Sequence, residues 1–195
     1  NIKDILIIST PRDLPIIKNL LGNGGNYGIN VCYKEQVSPG GIGEAFLLGE
    51  DFIGDSPVCL ILGDNIFYGQ GFTRSIQEAK AYTEENNESV IFGYHVKDPE
   101  RYGVAEIDEE NNVLALEEKP LNPKSQLAVV GLYFFSNNVV EIAKNTERSS
   151  RGELEITDIN KAFLKSGKLK LKKLGRGLAW LDTGTISSLY EASEY

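Results

Sequence analysis

Methionine is absent from the 195 residues, histidine occurs once, and cysteine occurs only twice. With His95, Cys32 and Cys59 as the whole supply, a Cys/His zinc site is disfavoured, and no Ser-His-Asp or Cys-His arrangement stands out along the chain. Both cysteines sit in β-like apolar runs and read as small buried hydrophobes of a reducing compartment, the cytoplasm. No run of about 18 consecutive apolar residues occurs, and the N-terminus lacks a basic-then-apolar plan, which argues against a membrane span and against secretion. Positive charge is scarce: 20 Lys and Arg face 28 Asp and Glu, for a net charge of −8. Affinity for nucleic acid rests on clustered cations, so that partner is disfavoured. The one short basic run, Lys168-Leu-Lys170-Leu-Lys172-Lys173, alternates as a strand does and reads as a solvated face.

What is present is an ordinary globular mixture, 41% hydrophobic and 25% charged, long enough for one substantial core. The expectation is a single domain over residues 1–195. The chain opens without Met on a strand-like run from Ile2 and stops inside an apparent helix over residues 187–195. Truncation at both ends is therefore expected.

Apolar periodicity lays out the elements. Ile5–Ile8 reads as a buried strand, Leu14–Leu21 as a helix stopped at Gly22, and Val31–Tyr33 as a short strand. Ser38-Pro39-Gly40-Gly41 is a turn into a helix over residues 42–52, and Val58–Leu62 returns to strand. A surface helix over 72–85 and a strand over 89–96 follow. Residues 103–107 and 113–117 pair as an antiparallel hairpin inserted on the rim. Leu127–Phe135 is a strand, residues 137–144 a short helix, and Gly152–Lys165 an amphipathic helix capped near Ser149 or Ser150 and closed by Gly167. Strands alternating with helices point to an α/β fold with a mostly parallel mixed sheet covered on both faces. The Gly22-Asn-Gly24-Gly25 loop follows a helix and leads to a strand, the reverse of a phosphate-binding fingerprint, and reads as a helix exit.

Two apolar runs end in a carboxylate, Leu60-Ile-Leu-Gly-Asp64-Asn65 and Ala179-Trp-Leu-Asp182-Thr-Gly184. Ligands of α/β sheets bind beyond the carboxyl ends of strands, and two such carboxylates could hold one hard divalent cation. Either Asp alone would be a simple turn former. Glu117-Glu118-Lys119-Pro120 ends the hairpin; Pro120 predicts an extended Lys119 whose side chain faces away from that of Glu118. Taken singly it is as well read as a solvated strand end. Arg151, placed just before the expected helix, suits phosphate by its forked guanidinium and by the helix N-terminus. His95, inside an apolar strand, reads as structural.

The motifs Gln36-x-Ser-Pro-x-Gly41, Leu62-Gly-Asp-Asn65, Asp98-Pro-Glu-Arg-Tyr-Gly103, Glu117-Glu-Lys-Pro120, Gly131-Leu-Tyr-Phe134, Arg151-Gly-Glu-Leu-Glu-Ile-Thr157 and Gly175-Arg-Gly-x-Ala-Trp-Leu-Asp-Thr-Gly184, in that order, resemble the glucose-1-phosphate thymidylyltransferases. The resemblance implies a Rossmann-like nucleotide-diphospho-sugar transferase fold and transfer of a thymidylyl group from dTTP to α-D-glucose 1-phosphate. The products would be dTDP-glucose and pyrophosphate, at the entry to dTDP-rhamnose and related deoxysugars. It further implies Mg²⁺ as cofactor, a cytoplasmic homotetramer, and neither nucleic-acid nor membrane partners. Carried over by position, Gln36 and the Gly41 backbone would read the thymine, and Asp64 and Asp182 would hold Mg²⁺. Tyr102 and Gly103 would line the sugar pocket and Glu118 would bond glucose hydroxyls. Lys119 and Arg151 would clamp the sugar phosphate, while Val129, Tyr133 and Trp180 would shape the walls.

The sequence departs from the family in several places. Its Gly-rich N-terminal signature, which supplies a first strand and catalytic cations, has no match here, so the polypeptide by itself is expected to be inactive. Val37 stands where the family usually has Pro, Gly43 and Glu44 where it has Ala and Gln, and Val130 where it has Thr. A sister enzyme using UTP, CTP or another sugar 1-phosphate, and a noncatalytic sugar-nucleotide-binding module, are the alternative readings.

Overall fold

Ten strands and seven α-helices are built over residues 2–194, the portion that the computed structural model describes; Asn1, and Tyr195 at the end of the expected last helix, lie outside it. In chain order they are β1 (Asp4–Ser9), α1 (Leu14–Leu21), β2 (Asn30–Glu35), α2 (Glu44–Leu48), α3 (Glu50–Ile53), β3 (Val58–Ile61), β4 (Asn65–Gly69), α4 (Phe72–Asn86), β5 (Ser89–His95), β6 (Gly103–Ile107), β7 (Val113–Glu118), β8 (Leu127–Phe135), α5 (Val139–Asn145), α6 (Ile156–Lys165), β9 (Leu169–Lys173), β10 (Leu178–Asp182) and α7 (Ile186–Ser193). Contacts divide the chain into two compact units, one comprising the chain up to Asp55 with Val139–Ile159, the other Ser56–Asn138 with Asn160 onward.

In the first unit β1 and β2 pair in parallel, Asp4 beside Asn30 through Ser9 beside Glu35. Helix α1 has Pro at its start and ends on Gly22 at φ +57°, a conformation that favours glycine. The helix expected over 42–52 is interrupted at Gly49, which separates α2 from α3. A Cβ there would stand 2.9 Å from the Ala45 carbonyl and 3.2 Å from Leu6 Cδ2 of β1, so close approach of helix and strand requires glycine. Cys32 is exposed, against the buried reading, because β2 is an edge among the described pairings and presents one face outward.

The second unit centres on β8. Along one side it pairs antiparallel with β5; on the other it takes β3 near its end and β6 near its start, giving the order β7-β6-β8-β5-β9 with β3 branching from β8. Strands β1 with β2 and β5 with β9 are parallel, whereas every other pairing among the described residues is antiparallel. The mixed α/β sheet is as expected, but its balance leans antiparallel, since β8 runs back between β5 on one side and β3 and β6 on the other, and β10 runs back along β4. Ala128, Val130, Leu132 and Phe134 of β8 form a core with Val90, Phe92, Leu178 and Trp180, covered by Ala79 and Ile76 of α4. The alternate face of β8 carries Tyr133 and Phe135, with Phe163 of α6 against Phe135 at 5.4 Å between ring centroids. This period of two makes β8 apolar throughout. Cys59, half-buried in β3, has its thiol pushed up to about 12 by burial. No helix among the described residues is long and apolar enough to cross a membrane.

Helix α6 starts at Ile156, not at Gly152. Both backbone groups of Leu154 are already engaged: its N–H donates to Gly40 O at 2.7 Å, and its carbonyl accepts from Gly43 N–H at 2.9 Å. A residue bonded this way to a distant loop cannot join a helical ladder. Ser149 accordingly caps no helix and instead closes a loop, its N–H donating to Glu153 O.

Candidate active site

The strongest local geometry lies where β4 and β10 meet. These strands pair antiparallel with Asn65 opposite Asp182, although β4 is too short and too turn-like to be legible without its partner. Beyond the pairing, Thr183 donates both its backbone N–H and its Oγ1 to the Asp64 carbonyl, each at 2.8 Å. The two carboxylates therefore converge. The position a Cβ would take on Gly184 is 3.1 Å from Asp182 Oδ1 and 3.3 Å from Asp64 Oδ2. Glycine leaves this space open, and Gly184 N–H donates to Asp182 Oδ1 at 3.1 Å.

Asn65 is a strut the motif contained but to which no role was assigned. Its Nδ2 donates to Asp64 Oδ1 at 2.8 Å, while its Oδ1 accepts from Gly131 N–H at 2.9 Å and from Trp180 Nε1–H at 2.7 Å. Trp180 is 8% exposed, with Tyr94 and Tyr102 edge-on to it at 5.9 and 5.1 Å. Its indole is thus a buttress under the carboxylates, its one polar group committed. Gly131 is needed at the crossing, since a Cβ there would come within 2.6 Å of Asn65 Oδ1.

Tyr102, Gly103, Glu118 and Lys119 form a second cluster. Gly103 pairs with Glu118 across the hairpin, and Lys119 N–H donates to Tyr102 O at 3.0 Å. Lys119 is not extended: its φ is +44°. The bond to Tyr102 holds Lys119 in this conformation against the extended preference that the ring of Pro120 imposes on the residue before it. A non-glycine residue in this region stores about 1–3 kcal/mol of strain, and such residues collect at functional sites. Tyr133, buried on β8, has its phenol pushed well up by burial and, to a lesser extent, by the charge of Glu118. Val129 is half-buried on β8 opposite Gly93. Burial, with the anions Asp182 and Asp98, pushes the Tyr102 hydroxyl up to about 12 against the opposing pull of Arg101. Arg101 joins the two clusters, lying over the Tyr102 ring at 5.2 Å, bonding Asp98 at 2.7 Å and approaching Asp182 at 3.9 Å.

In the other unit Gln36 and Gly41 come together, Gln36 Nε2 donating to Gly41 O at 3.2 Å. Gly41 has φ +91°, and a Cβ on it would meet Leu154 backbone atoms at 2.6 Å. Arg151 does not occupy a helix N-terminus, because α6 begins five residues later. Its guanidinium pairs with Glu155 at 2.8 Å and lies 3.4 Å from Glu153. Arg148, absent from the sequence reading, is the organiser here. Its Nη1 donates to the carbonyls of Gly40 and Gly152, and its Nη2 to Glu44. It carries no motif signature; only the fold shows that it bridges the two loops.

Among the described residues no group of three or more His, Cys, Asp and Glu assembles, so a caged metal site is not on offer. Two converging carboxylates above an open glycine do suit a hard cation such as Mg²⁺, which takes one or two protein carboxylates and completes its shell with water and substrate phosphates.

The sequence model of the nucleotidyl transferase family matches residues 1–195. The glucose-1-phosphate thymidylyltransferase of Neisseria gonorrhoeae is 54% identical over 194 residues, all of this chain and 66% of that protein. The chain therefore spans just under two-thirds of the length of that relative. A solved structure from Bacillus anthracis, named for the same activity and determined in complex with sucrose, superposes with a TM-score of 0.88 at 38% identity, over 98% of this chain and 75% of that one. UDP-glucose pyrophosphorylase complexed with UDP-glucose shares the fold, with a TM-score of 0.82 at 24% identity over 98% of this chain and 80% of the other. By its sequence over its full extent, and by an α/β architecture common to these enzymes, the chain belongs to the nucleotidyl transferase family.

Proposed function

We propose that the function this chain serves, within the full natural polypeptide, is transfer of a thymidylyl group from dTTP to α-D-glucose 1-phosphate, releasing pyrophosphate and forming dTDP-glucose. The observation that carries this reading is the convergence of Asp64 and Asp182 over Gly184, in a chain 54% identical to a thymidylyltransferase. A phosphate oxygen of the sugar attacks the α-phosphorus in line. The new P–O bond forms as the bond to the β-phosphate breaks, and the electron pair leaves with pyrophosphate. Such a transfer asks for alignment and charge neutralisation, not for a protein nucleophile, which matches a site without a relay.

Asp64 and Asp182 would hold Mg²⁺, which when bound supplies Lewis-acid stabilisation and a template for the phosphates. The carboxylate of Glu118 accepts from glucose hydroxyls, and Tyr102, Gly103, Val129 and Tyr133 shape the sugar pocket with Trp180 behind them. Lys119 and Arg151 meet the sugar phosphate. For Arg151 this means exchanging Glu155 and Glu153 for phosphate, a favourable trade because the fork can donate bidentately to phosphate, which carries more charge than a carboxylate. Gln36 and Gly41 face the base. The product feeds dTDP-rhamnose and deoxysugar assembly, and the working form is a cytoplasmic homotetramer.

The test is pyrophosphate release from dTTP, UTP, CTP and ATP with glucose 1-phosphate and Mg²⁺, using the full natural polypeptide and an Asp182→Asn control. Turnover selective for dTTP and lost in the control is expected. Preference for UTP or CTP would move the chain to a sister activity, and silence from a folded protein would make it a binding module.

A further inference from the structure

Gln36, which the thymidylyltransferase reading turns toward the base, is gripped by a residue to which that reading assigns nothing. Its Nε2 donates to Glu44 Oε2 at 2.7 Å as well as to Gly41 O at 3.2 Å. Glu44 Oε1 in turn accepts from Arg148 Nη2 at 2.7 Å. The hydrogen bond from Gln36, followed by that from Arg148, holds the Glu44 carboxyl below its ordinary value of 4.5, so it is ionised at neutral pH.

An ionised carboxylate and a peptide carbonyl are acceptors only. The Gln36 amide therefore cannot be turned over without setting its oxygen against two other oxygens, and both of its N–H groups are consumed. The Gly41 carbonyl also takes Glu44 N–H at 3.3 Å, and Arg148 fastens Gly40 and Gly152. Glu44 is thus anchored from both sides and cannot follow Gln36 if it rotates.

Resting on the thymidylyltransferase reading, we infer that Glu44 is a positioning residue for base selection: it locks Gln36 with Oε1 outward, so that the nucleobase is read through an N–H. The imide N3–H of thymine or uracil supplies that donor. Cytosine in the same pose would oppose its N3 lone pair to the same oxygen. Glu44 acts here through Gln36, without touching the nucleotide itself.

The probe is a pair of nucleotides, dTTP and its N3-methyl derivative, compared by kcat/KM in the full natural polypeptide. The unsubstituted protein is expected to reject the methylated base. Glu44→Ala lowers that discrimination about tenfold, the worth of one hydrogen bond correctly aimed, with the loss on the nucleotide KM. In a Gln36→Ala background the same substitution changes the ratio no further. Thermal melting checks that the variants fold, and Glu44→Leu, which keeps the volume but accepts nothing, carries the test if Glu44→Ala does not. An unaltered ratio in either variant, or an equal drop in the Gln36→Ala background, overturns the role of Glu44. Absence of dTTP turnover in the unsubstituted protein overturns the underlying reading instead, so the two failures are told apart.

Discussion

The carboxylate pair and the loop that carries Gln36 are held by different kinds of bond. Asp64 and Asp182 are delivered by backbone: a β4–β10 ladder brings their strands together, and Thr183 clasps the Asp64 carbonyl. Gln36 and Arg151 are delivered by side-chain charge, through Arg148 to Glu44 and Glu155 to Arg151. Backbone ladders are insensitive to salt and to most substitutions, whereas exposed ion pairs are screened within about 10 Å at 0.1 M salt and depend on pH. One region is thus built for fixed geometry, and the other rests on charges that respond to salt and pH.

Substitutions at five positions would sharpen or break this contrast. The largest effect is expected for Asp182→Asn, which leaves the ladder intact but removes one of the two carboxylate charges proposed to hold Mg²⁺. Turnover should fall on the order of 10²- to 10³-fold while the melting temperature holds, measured by pyrophosphate release and calorimetry; equal activity would take the metal role away from Asp182. Asn65→Leu comes next. It deprives Gly131 N–H and Trp180 Nε1–H of their shared acceptor, an expected loss of about 3 kcal/mol in denaturant unfolding followed by Trp180 fluorescence.

The charge-held loops should show smaller and condition-dependent effects. Arg148→Met removes two carbonyl bonds and an ion pair, for an expected loss of about 1–2 kcal/mol in urea unfolding. Because the folded-state pKa of Glu44 is depressed, its contribution is present above the ordinary value of 4.5 and is lost as pH falls below it. The melting temperature of the unsubstituted protein should therefore drop more steeply below that point than that of Glu44→Ala; parallel curves would contradict the assignment. Lys119→Gly is the smallest. Relief of the φ +44° backbone should leave stability unchanged or raised by up to about 1 kcal/mol, while turnover falls with loss of the cation. A destabilised variant would mean that Lys119 packs more than it strains.

The elements most legible in the sequence were those whose period is set by their own burial. The β8 run over 127–135 and the β6–β7 hairpin have the expected bounds or nearly so, because apolar pattern and turn chemistry agree there. Helix α1 is found to the residue, between Pro15 near its start and Gly22 at its end. Where reading and structure part, a distant backbone group decides. Leu154, bonded to Gly40 and Gly43, delays α6, and Trp180 with its neighbours turns residues 65–69 into a strand. Lys119 is bent by Tyr102 O against the rule for residues before proline.

The candidate site divides along the same line. Asp64, Asp182, Glu118 and Gln36 were legible because strand ends, turn residues and ordered motifs announce them locally. Asn65 and Arg148 were not, since a residue that satisfies donors or carbonyls from remote segments has no periodicity and no motif of its own. The sequence by itself determined the chemistry available, namely carboxylates at strand ends, an amide and cations in loops, and no nucleophilic relay. Tertiary structure alone decided that two of those carboxylates converge and that the Gln36 amide nitrogen is turned onto Glu44 and Gly41. Convergence and orientation are fixed by hydrogen bonds between segments far apart in the chain, and no local preference encodes them.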